Sequence, residues 1–195
     1  MADFTKAHKK TGRHEGQYAR LRHDRGGETY AGIARAHHPE WSGWIIIDGH
    51  KTMPDFPANL ATAPELPGML AGFYRQEYWR PIGGDQIADQ AIADELFDTA
   101  VLHGPAVAGR FLQRCLNTLN RGQKLYPDLT VDGRIGPATL ATLALLPGPD
   151  IDLLYKQLNV LQGAYIIEIM ERDPTQEDFC RGWFTRVTIE KVEGI

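Results

Sequence analysis

The sequence is poor in the features that mark membrane-spanning, disulfide-rich and disordered proteins. Its 195 residues include two cysteines, Cys115 and Cys180, and both lie in segments with helical periodicity. We predict that both are reduced packing residues, which is typical of a chain that folds in the cytoplasm. No apolar run reaches membrane-spanning length and no tract has a disordered composition, so we expect a globular fold without stable membrane insertion.

The first ten residues contain no apolar h-region and do not resemble a secretory signal. We therefore expect the protein to be made in the cytoplasm without a signal peptide. A formal net charge of -4 argues against nucleic acid as a partner. The same charge gives no support for electrostatic attraction to an anionic surface.

The seven histidines form no H-E-x-x-H pattern, and His14-Glu15 lacks a second histidine at the spacing that zinc requires. A Gly-rich phosphate loop and a G-x-S-x-G elbow are also absent. The sequence therefore predicts neither a metal site nor a cofactor.

Apolar residues recur at helical spacing along most of the chain and predict a mainly α protein. One such stripe begins at Leu66 and ends near Trp79. The stripes on either side of Gly104 predict an αα-hairpin in the core. Asp98 lies inside the first of these two stripes, where we expect its carboxylate to bind a loop backbone.

Residues that are typical of helix starts predict where the helices of the C-terminal third begin. Gly136 and Pro137 are placed as the N-cap and the first residue of a helix. The longest helix is predicted to start at Asp150 or Asp152, and a final helix to cover residues 179–189.

The segment from Phe4 to Glu15 has helical spacing, with Asp3 placed to cap its start and Gly16 to end it. Glu15 would then lie in the last turn, where the carbonyl end of the helix dipole disfavours a second negative charge. Its carboxyl group would hold its proton more tightly, as a general acid requires. The alternative is a surface glutamate without a role.

A small β element is predicted near residues 17–33, after the Gly26-Gly27 turn. Asp24 before this turn could act as a base or electrostatic partner of Glu15, or only as an Asx-turn residue. Thr29 could hold a water molecule, or could be there for its β propensity. An acid beside a second carboxylate, a hydroxyl and aromatic rings suits glycoside hydrolysis.

These residues resemble glycoside hydrolase family 108, the lysozyme-like N-acetylmuramidases also described as secretion-activating proteins. Glu15-Gly16-Gln17-Tyr18 is similar to the family's E-G-G-Y signature, with Gln17 replacing the second glycine. Residues 24–33 are similar to its D-P-G-G-x-T-x-x-G-I segment, with Arg25 in the proline position. The Glu15 to Asp24 spacing also fits that of phage-type lysozymes, whereas Thr29 comes one residue early, so that Tyr30 could take its place.

The resemblance continues through most of the chain. Residues 112–140 are similar to a peptidoglycan-binding-like segment, above all at Val131-Asp132-Gly133-x-Ile135-Gly136-Pro137-x-Thr139. We therefore predict a lysozyme-like catalytic region over residues 1–104 and a peptidoglycan-binding-like helical region over residues 105–195, packed into one compact unit. Three shorter motifs also resemble the family: Tyr74-Arg75-x-x-Tyr78-Trp79, Phe97-Asp98-x-Ala100-Val101-x-x-Gly104 and Arg181-Gly182-Trp183.

The resemblance implies a lysozyme-like helical fold and cleavage of the β-1,4 bond between N-acetylmuramic acid and N-acetylglucosamine in peptidoglycan. The family's catalytic glutamate falls on Glu15. The aromatic candidates for lining the glycan groove are Tyr18, Tyr30, Tyr74, Tyr78 and Trp79.

Two questions stay open at the level of sequence. The first is whether the chain is instead a non-catalytic wall-binding or secretion-accessory protein that grips glycan through residues 112–140, or whether those residues only pack. The second is export: action at the periplasm or cell wall would require a non-classical route, through a membrane pore or a secretion partner.

Overall fold

The computed structural model describes residues 1–12, 18–20 and 27–188. Over these residues the protein is mainly α with a small β element, as predicted, and it contains eight α-helices and a three-stranded sheet. None of the described helices combines the length and apolar character needed to cross a bilayer. The helices are α1 (Phe4–Thr11), α2 (Gly43–Lys51), α3 (Leu66–Tyr74), α4 (Gln90–His103), α5 (Pro105–Leu119), α6 (Pro137–Ala144), α7 (Gly148–Arg172) and α8 (Cys180–Phe184).

The contacts between residues divide the chain into two compact units. We call His8–Glu77 the sheet unit, and Met1–Ala7 together with Tyr78–Ile195 the helical unit. This division does not coincide with the predicted boundary between residues 104 and 105, which stays a prediction.

The sheet lies where the β element near residues 17–33 was predicted. Its antiparallel strands are β1 (Tyr18–Arg20), β2 (Glu28–Tyr30) and β3 (Ile33–Ala34), in that order. Ala31 and Gly32 form the tight turn between β2 and β3 with φ values of 45° and 82°. Such left-handed values are typical of a two-residue hairpin turn. In the same unit α2 packs against α3.

Helix α1 begins as predicted, because the Asp3 carboxylate accepts a hydrogen bond from the Thr5 backbone N–H at 2.7 Å. The α-helix ends at Thr11. The prediction that Glu15 occupies the last turn and Gly16 ends the helix falls on residues 13–17, which lie outside the described residues.

The core of the helical unit is the predicted αα-hairpin of α4 and α5, which packs against α7. Leu96, Leu112 and Leu158 are buried in this core. Cys115 is also buried there, and both cysteines are free, as predicted. Burial raises the pKa of the Cys115 thiol to about 12, so this thiol stays protonated and unreactive.

Two helix predictions in the C-terminal third need correction. Helix α7 begins at Gly148, before either predicted aspartate, because Pro149 fits the first turn of a helix. The final helix is much shorter than predicted and ends at Phe184. By contrast, Gly136 and Pro137 occupy the N-cap and first-turn positions that were predicted.

Asp98 binds side chains rather than the loop backbone that we had expected. Its carboxylate accepts hydrogen bonds from Arg186 at 2.9 Å and from Gln162 at 3.2 Å. The Arg186 side chain is 6% exposed and that of Asp98 is 14% exposed. This buried ion pair ties the segment after α8 to α4.

A glycine contact fixes the 131–137 turn against α5. A Cβ atom at Gly109 would lie 2.2 Å from the carbonyl oxygen of Gly133. The Gln113 side chain supports the same turn, since it accepts from the Gly133 N–H and donates to the Asp132 carboxylate, each at 2.8 Å. The most motif-like part of the predicted peptidoglycan-binding segment is therefore packed directly on a core helix.

We expect Gly109→Ala to lower the free energy of unfolding by about 3 kcal/mol, since a backbone carbonyl must move to admit the methyl group. Urea denaturation would measure the change. Gly182→Ala is the matched control, because a Cβ atom there meets no atom within 4 Å. Equal stability of the two variants would contradict the close packing of the turn on α5.

His103 should make stability depend on pH. Burial lowers the pKa of His103 to about 4, with Asp98 and Arg186 acting in opposite directions. Because the unfolded imidazole titrates near 6.5, the unfolded chain takes up the proton first. The contribution of neutral His103 to the free energy of unfolding is therefore complete above about pH 6.5, and it is lost as the pH falls towards 4.

We expect the protein to lose about 1–2 kcal/mol of stability through this group between pH 7 and pH 4.5. His103→Phe should lose correspondingly less, while retaining an aromatic ring against Tyr165, 5.0 Å away between ring centroids. Urea unfolding of both proteins at the two pH values measures the difference. Identical pH dependence would contradict the assignment.

Candidate functional site

The two carboxylates predicted to perform catalysis, Glu15 and Asp24, lie outside the described residues. The structure does describe the residues that flank them along the chain: Gly12, β1 and Gly27. Two cavities and a cluster of charged side chains of the sheet unit lie around these flanking residues.

The first cavity, of ≈ 350 Å³, contains the predicted glycan contacts Tyr18 and Tyr30. These residues are paired directly across β1 and β2, so their side chains lie on the same face of the sheet. The remaining walls are small and apolar: Pro57, Ala58, Leu60 and Ala61. Phenol groups beside apolar walls suit a sugar ring, which has polar edges and apolar faces.

Neighbouring aromatic rings hold both tyrosines in place. The Tyr18 ring packs edge-on against Phe56 with centroids 4.6 Å apart. The Tyr30 ring stacks near Trp41 with centroids 6.1 Å apart. Burial raises the pKa of the Tyr30 phenol, so its hydroxyl stays protonated and available as a hydrogen-bond donor at neutral pH.

Thr29 lies on the face of the sheet opposite to Tyr30, because successive side chains alternate along a strand. Its cross-strand partners are Ala19 and Ala34. The Thr29 hydroxyl donates a long hydrogen bond of 3.4 Å to the Ala19 carbonyl oxygen. The structure therefore brings Tyr30, and not Thr29, together with Tyr18, and the water-holding role of Thr29 stays a prediction.

The second cavity, of ≈ 420 Å³, lies between the end of α1 and the β2–β3 turn. Tyr74 lines it together with His8, Gly12 and Ala31. The Tyr74 side chain is only 4% exposed, and its hydroxyl donates to the Ala31 carbonyl oxygen at 2.8 Å. The Tyr74 hydroxyl thus holds the β2–β3 turn in place. The prediction that Tyr74 contacts glycan stays a prediction.

The other two predicted contacts, Tyr78 and Trp79, belong to the helical unit. Trp79 is 0% exposed, and its ring packs edge-on against Phe4 and Phe97. Its indole N–H donates to the Asp85 carboxylate at 2.9 Å. A side chain without exposed surface cannot stack on a sugar, so the prediction for Trp79 is wrong. Tyr78 is half-buried and stays a prediction.

A cluster of four charged side chains, which the sequence prediction missed, lies beside the tyrosine pair. We call it the ion cluster: Glu28 in β2, Arg35 after β3, and Asp48 and Lys51 in α2. Glu28 accepts a hydrogen bond from Arg35 at 2.9 Å, and the Lys51 ammonium nitrogen forms an ion pair with its other carboxylate oxygen, 2.6 Å away. Asp48 pairs with the same two cations, at 2.5 Å and 2.7 Å.

The ion cluster also reaches Tyr18, whose hydroxyl donates to the Glu28 carboxylate. Burial alone would raise the pKa of Glu28, but hydrogen bonds from Lys51, Arg35 and Tyr18 outweigh it and hold this pKa below its ordinary value. Arg35 and Lys51 likewise depress the pKa of Asp48. Both carboxylates are therefore ionised at neutral pH, and neither is suited to donate a proton.

One part of the ion cluster could have been found from sequence. Asp48 and Lys51 are spaced i, i+3 within a helix, which places them on one face. The long-range members, Glu28 and Arg35, carry no such local signal. Within the part of the chain that the structure describes, no three His, Cys, Asp or Glu side chains converge on a metal site.

Comparisons with known proteins agree with this architecture. No curated protein sequence matches the chain. Among solved structures, Brucella abortus SagA is similar with a TM-score of 0.62 and 25% sequence identity, over 94% of this chain and 88% of that one. The mainly α, lysozyme-like fold predicted from sequence is confirmed.

The family matches cover most of the chain. Residues 8–104 match the family described as glycosyl hydrolase 108. Residues 107–188 match the family described as predicted peptidoglycan domain. The chain therefore carries a glycosyl hydrolase 108 domain followed by a peptidoglycan domain, and it belongs to the glycosyl hydrolase 108 family.

Proposed function

We propose that the protein is an N-acetylmuramidase that cleaves the β-1,4 bond between N-acetylmuramic acid and N-acetylglucosamine, with Glu15 as general acid. The observation that carries the proposal is the glycosyl hydrolase 108 match over residues 8–104, which includes Glu15. The peptidoglycan domain that follows supports peptidoglycan as the substrate.

In the proposed mechanism Glu15 protonates the glycosidic oxygen as the sugar becomes oxocarbenium-like. Asp24 serves on the opposite face as the base that activates water or as the carboxylate that stabilises positive charge. A separation of about 6.5–9.5 Å between the two carboxyl groups corresponds to inversion of the anomeric centre, and about 5–5.5 Å to retention.

The cavity of Tyr18 and Tyr30 supports a glycan-binding role for these two residues. Their phenol hydroxyls can hydrogen-bond to sugar hydroxyl or amide groups, while the apolar residues of Ala58–Thr62 provide a surface for a ring face or an acetyl methyl. We assign Tyr18 and Tyr30 to substrate binding on this basis.

We further propose that the protein acts at the periplasm or cell wall, because peptidoglycan lies outside the cytoplasmic membrane. Passage through a membrane pore or with a secretion partner would bring it there. Fractionation of producing cells, followed by immunodetection of the protein in the periplasm or medium, tests this part of the proposal.

Product analysis tests the proposed reaction. Purified sacculi are digested with the protein, the new reducing ends are reduced with borohydride, and the modified sugar is identified by mass spectrometry. Reduced N-acetylmuramic acid is the expected product, whereas reduced N-acetylglucosamine would indicate the other β-1,4 bond. NMR spectra of fresh products would give the anomeric form and hence the stereochemistry.

A second candidate function is non-catalytic binding to the cell wall, which the match of residues 107–188 favours. Sedimentation of the protein with intact sacculi, without release of reducing ends, is the result that this alternative predicts. The same result would contradict the enzymatic proposal.

A further inference from the structure

We infer that the groove between α5 and α7 is a second binding site, which takes the anionic peptide stem of peptidoglycan rather than its glycan strand. The inference rests on the proposed function, because it names the part of the proposed substrate that residues 107–188 bind. The groove belongs to the helical unit, whereas the cavity of Tyr18 and Tyr30 belongs to the sheet unit.

The groove has a volume of ≈ 390 Å³, which is within the range typical of small-molecule sites. All its lining residues belong to the segment that matches the peptidoglycan domain. Those of α7 are spaced i, i+3, i+4, i+7 and i+8, which places them on one face of that helix. The walls include Arg114 and Thr118 of α5, and Leu153, Lys156, Gln157 and Val160 of α7.

Two cations line the groove without a partner of opposite charge. Arg114 and Lys156 are both exposed. Within the described ranges neither forms an ion pair or a hydrogen bond, and no carboxylate lines the groove. Two positive charges in one groove repel each other, so a bound anion would stabilise both. The whole chain has a net charge of -4, so this positive charge is a local feature.

The other walls suit small apolar side chains and peptide amides. Leu153 is 48% exposed and Val160 is 66% exposed, and both offer apolar surface on which a ligand can bury methyl groups. The Thr118 hydroxyl and the Gln157 side-chain amide lie 3.2 Å apart between the two helices. An amide group both donates and accepts hydrogen bonds, so Gln157 can pair with a peptide bond. An acyl chain could not pair with it and would remove these polar groups from water.

The stem of peptidoglycan combines these properties. Stem peptides are short, carry free carboxylates and contain alanine methyl groups. The glycan strand is neutral, because the lactyl carboxyl group of each muramic acid is joined to a stem by an amide bond. The negative charges that would offset Arg114 and Lys156 are therefore on the stem.

Isothermal titration calorimetry of the full chain with the synthetic peptide N-acetyl-L-Ala-D-Glu-meso-diaminopimelate-D-Ala tests the inference. We expect saturable binding. Arg114→Gln and Lys156→Gln should each raise Kd about 5- to 10-fold, because each removes one charge-assisted contact at a partly exposed site. Thermal unfolding of both variants should match the wild type, since both side chains are exposed.

Lys124→Gln is the matched control. It removes the same charge from an exposed loop residue of the same domain that does not line the groove, so the wild-type Kd should be kept. Chitotetraose, a neutral glycan, should bind equally well to the wild type and to the two groove variants. Weaker chitotetraose binding in those variants would overturn the inference, because the groove would then hold glycan.

Further results separate the inference from the proposed function. Absence of peptide binding, or a wild-type Kd in both groove variants, would overturn the inference, while release of reducing ends from sacculi would leave the proposed function standing. Peptide binding that both variants weaken, without release of reducing ends, would support the inference and contradict the muramidase proposal.

Two other occupants of the groove would give different results. A second copy of the chain would appear as a dimer in sedimentation velocity, and Val160→Asp would dissociate it. An acyl ligand would be indicated if dodecanoate bound more tightly than the peptide and displaced it. Either result would overturn the inference.

Discussion

Glu15→Gln should reduce the release of reducing ends from peptidoglycan by about 100- to 10,000-fold, because the amide cannot donate the proton that a glycosidic leaving group requires. The substitution preserves size and shape, so the melting temperature should change little. A reducing-sugar assay on purified sacculi measures the activity, and circular dichroism measures the thermal unfolding.

Glu168→Gln makes the same chemical change at an exposed glutamate of α7, and it should retain full activity. If Glu15→Gln kept more than a tenth of the wild-type rate, another residue would have to be the acid. Glu28 and Asp48 are poor candidates for that role, because their cationic partners hold both pKa values below the ordinary range.

Trp79→Ala should lower the free energy of unfolding by about 3–5 kcal/mol, the usual cost of deleting a buried aromatic side chain. The indole fills a fully buried space between Phe4 and Phe97. The indole also packs closely against Gly84, since a Cβ atom on that glycine would lie 2.3 Å from the ring. Urea denaturation of the purified variant would measure the loss.

Val160→Ala is the control for this variant, because Val160 is 66% exposed in the same unit. We expect its stability to stay within about 0.5 kcal/mol of the wild type. A Trp79→Ala protein of unchanged stability but raised KM would show that the indole contacts glycan after all. That result would contradict the packing described for the helical unit.

The parts of the fold that could be predicted from sequence are those that neighbouring residues decide. The Asp3 cap of α1 and the Gly136-Pro137 start of α6 depend on hydrogen bonds and dihedral angles within a few residues. The α4–α5 hairpin follows from a long helical period with a glycine between the two stripes.

Periodicity could not decide which side of an aromatic-rich helix meets solvent. The motif containing Tyr74, Tyr78 and Trp79 suggested a glycan-facing surface, yet Trp79 is fully buried. Both a core stripe and a binding stripe have the same 3.6-residue period, so only packing distinguishes them.

The candidate site was predicted only in part, because some of its residues meet only through the tertiary fold. Tyr18 and Tyr30 could be named as candidates because both lie in the stretch that resembles the family, whereas their pairing across β1 and β2 was not predicted. The ion cluster depends on β2, the segment after β3 and α2 meeting at one place, with Glu28 and Lys51 separated by more than twenty residues in the sequence. Such long-range pairing is a consequence of the tertiary fold and leaves no local pattern.

The alternation of side chains along β2 affects how this chain should be aligned with its relatives. When residues are counted from Glu15, Thr29 lies one position before the place of the threonine in phage-type lysozymes. Thr29 therefore suggests itself as the counterpart of that threonine. Moving by one position in a strand exchanges the two faces of the sheet, so that a match by residue type would compare groups that point in opposite directions. When the sequences are aligned by the face of the sheet instead, the oxygen beside Tyr18 belongs to the phenol of Tyr30. The Tyr30 side chain is longer than that of threonine and aromatic, and its hydroxyl is more acidic.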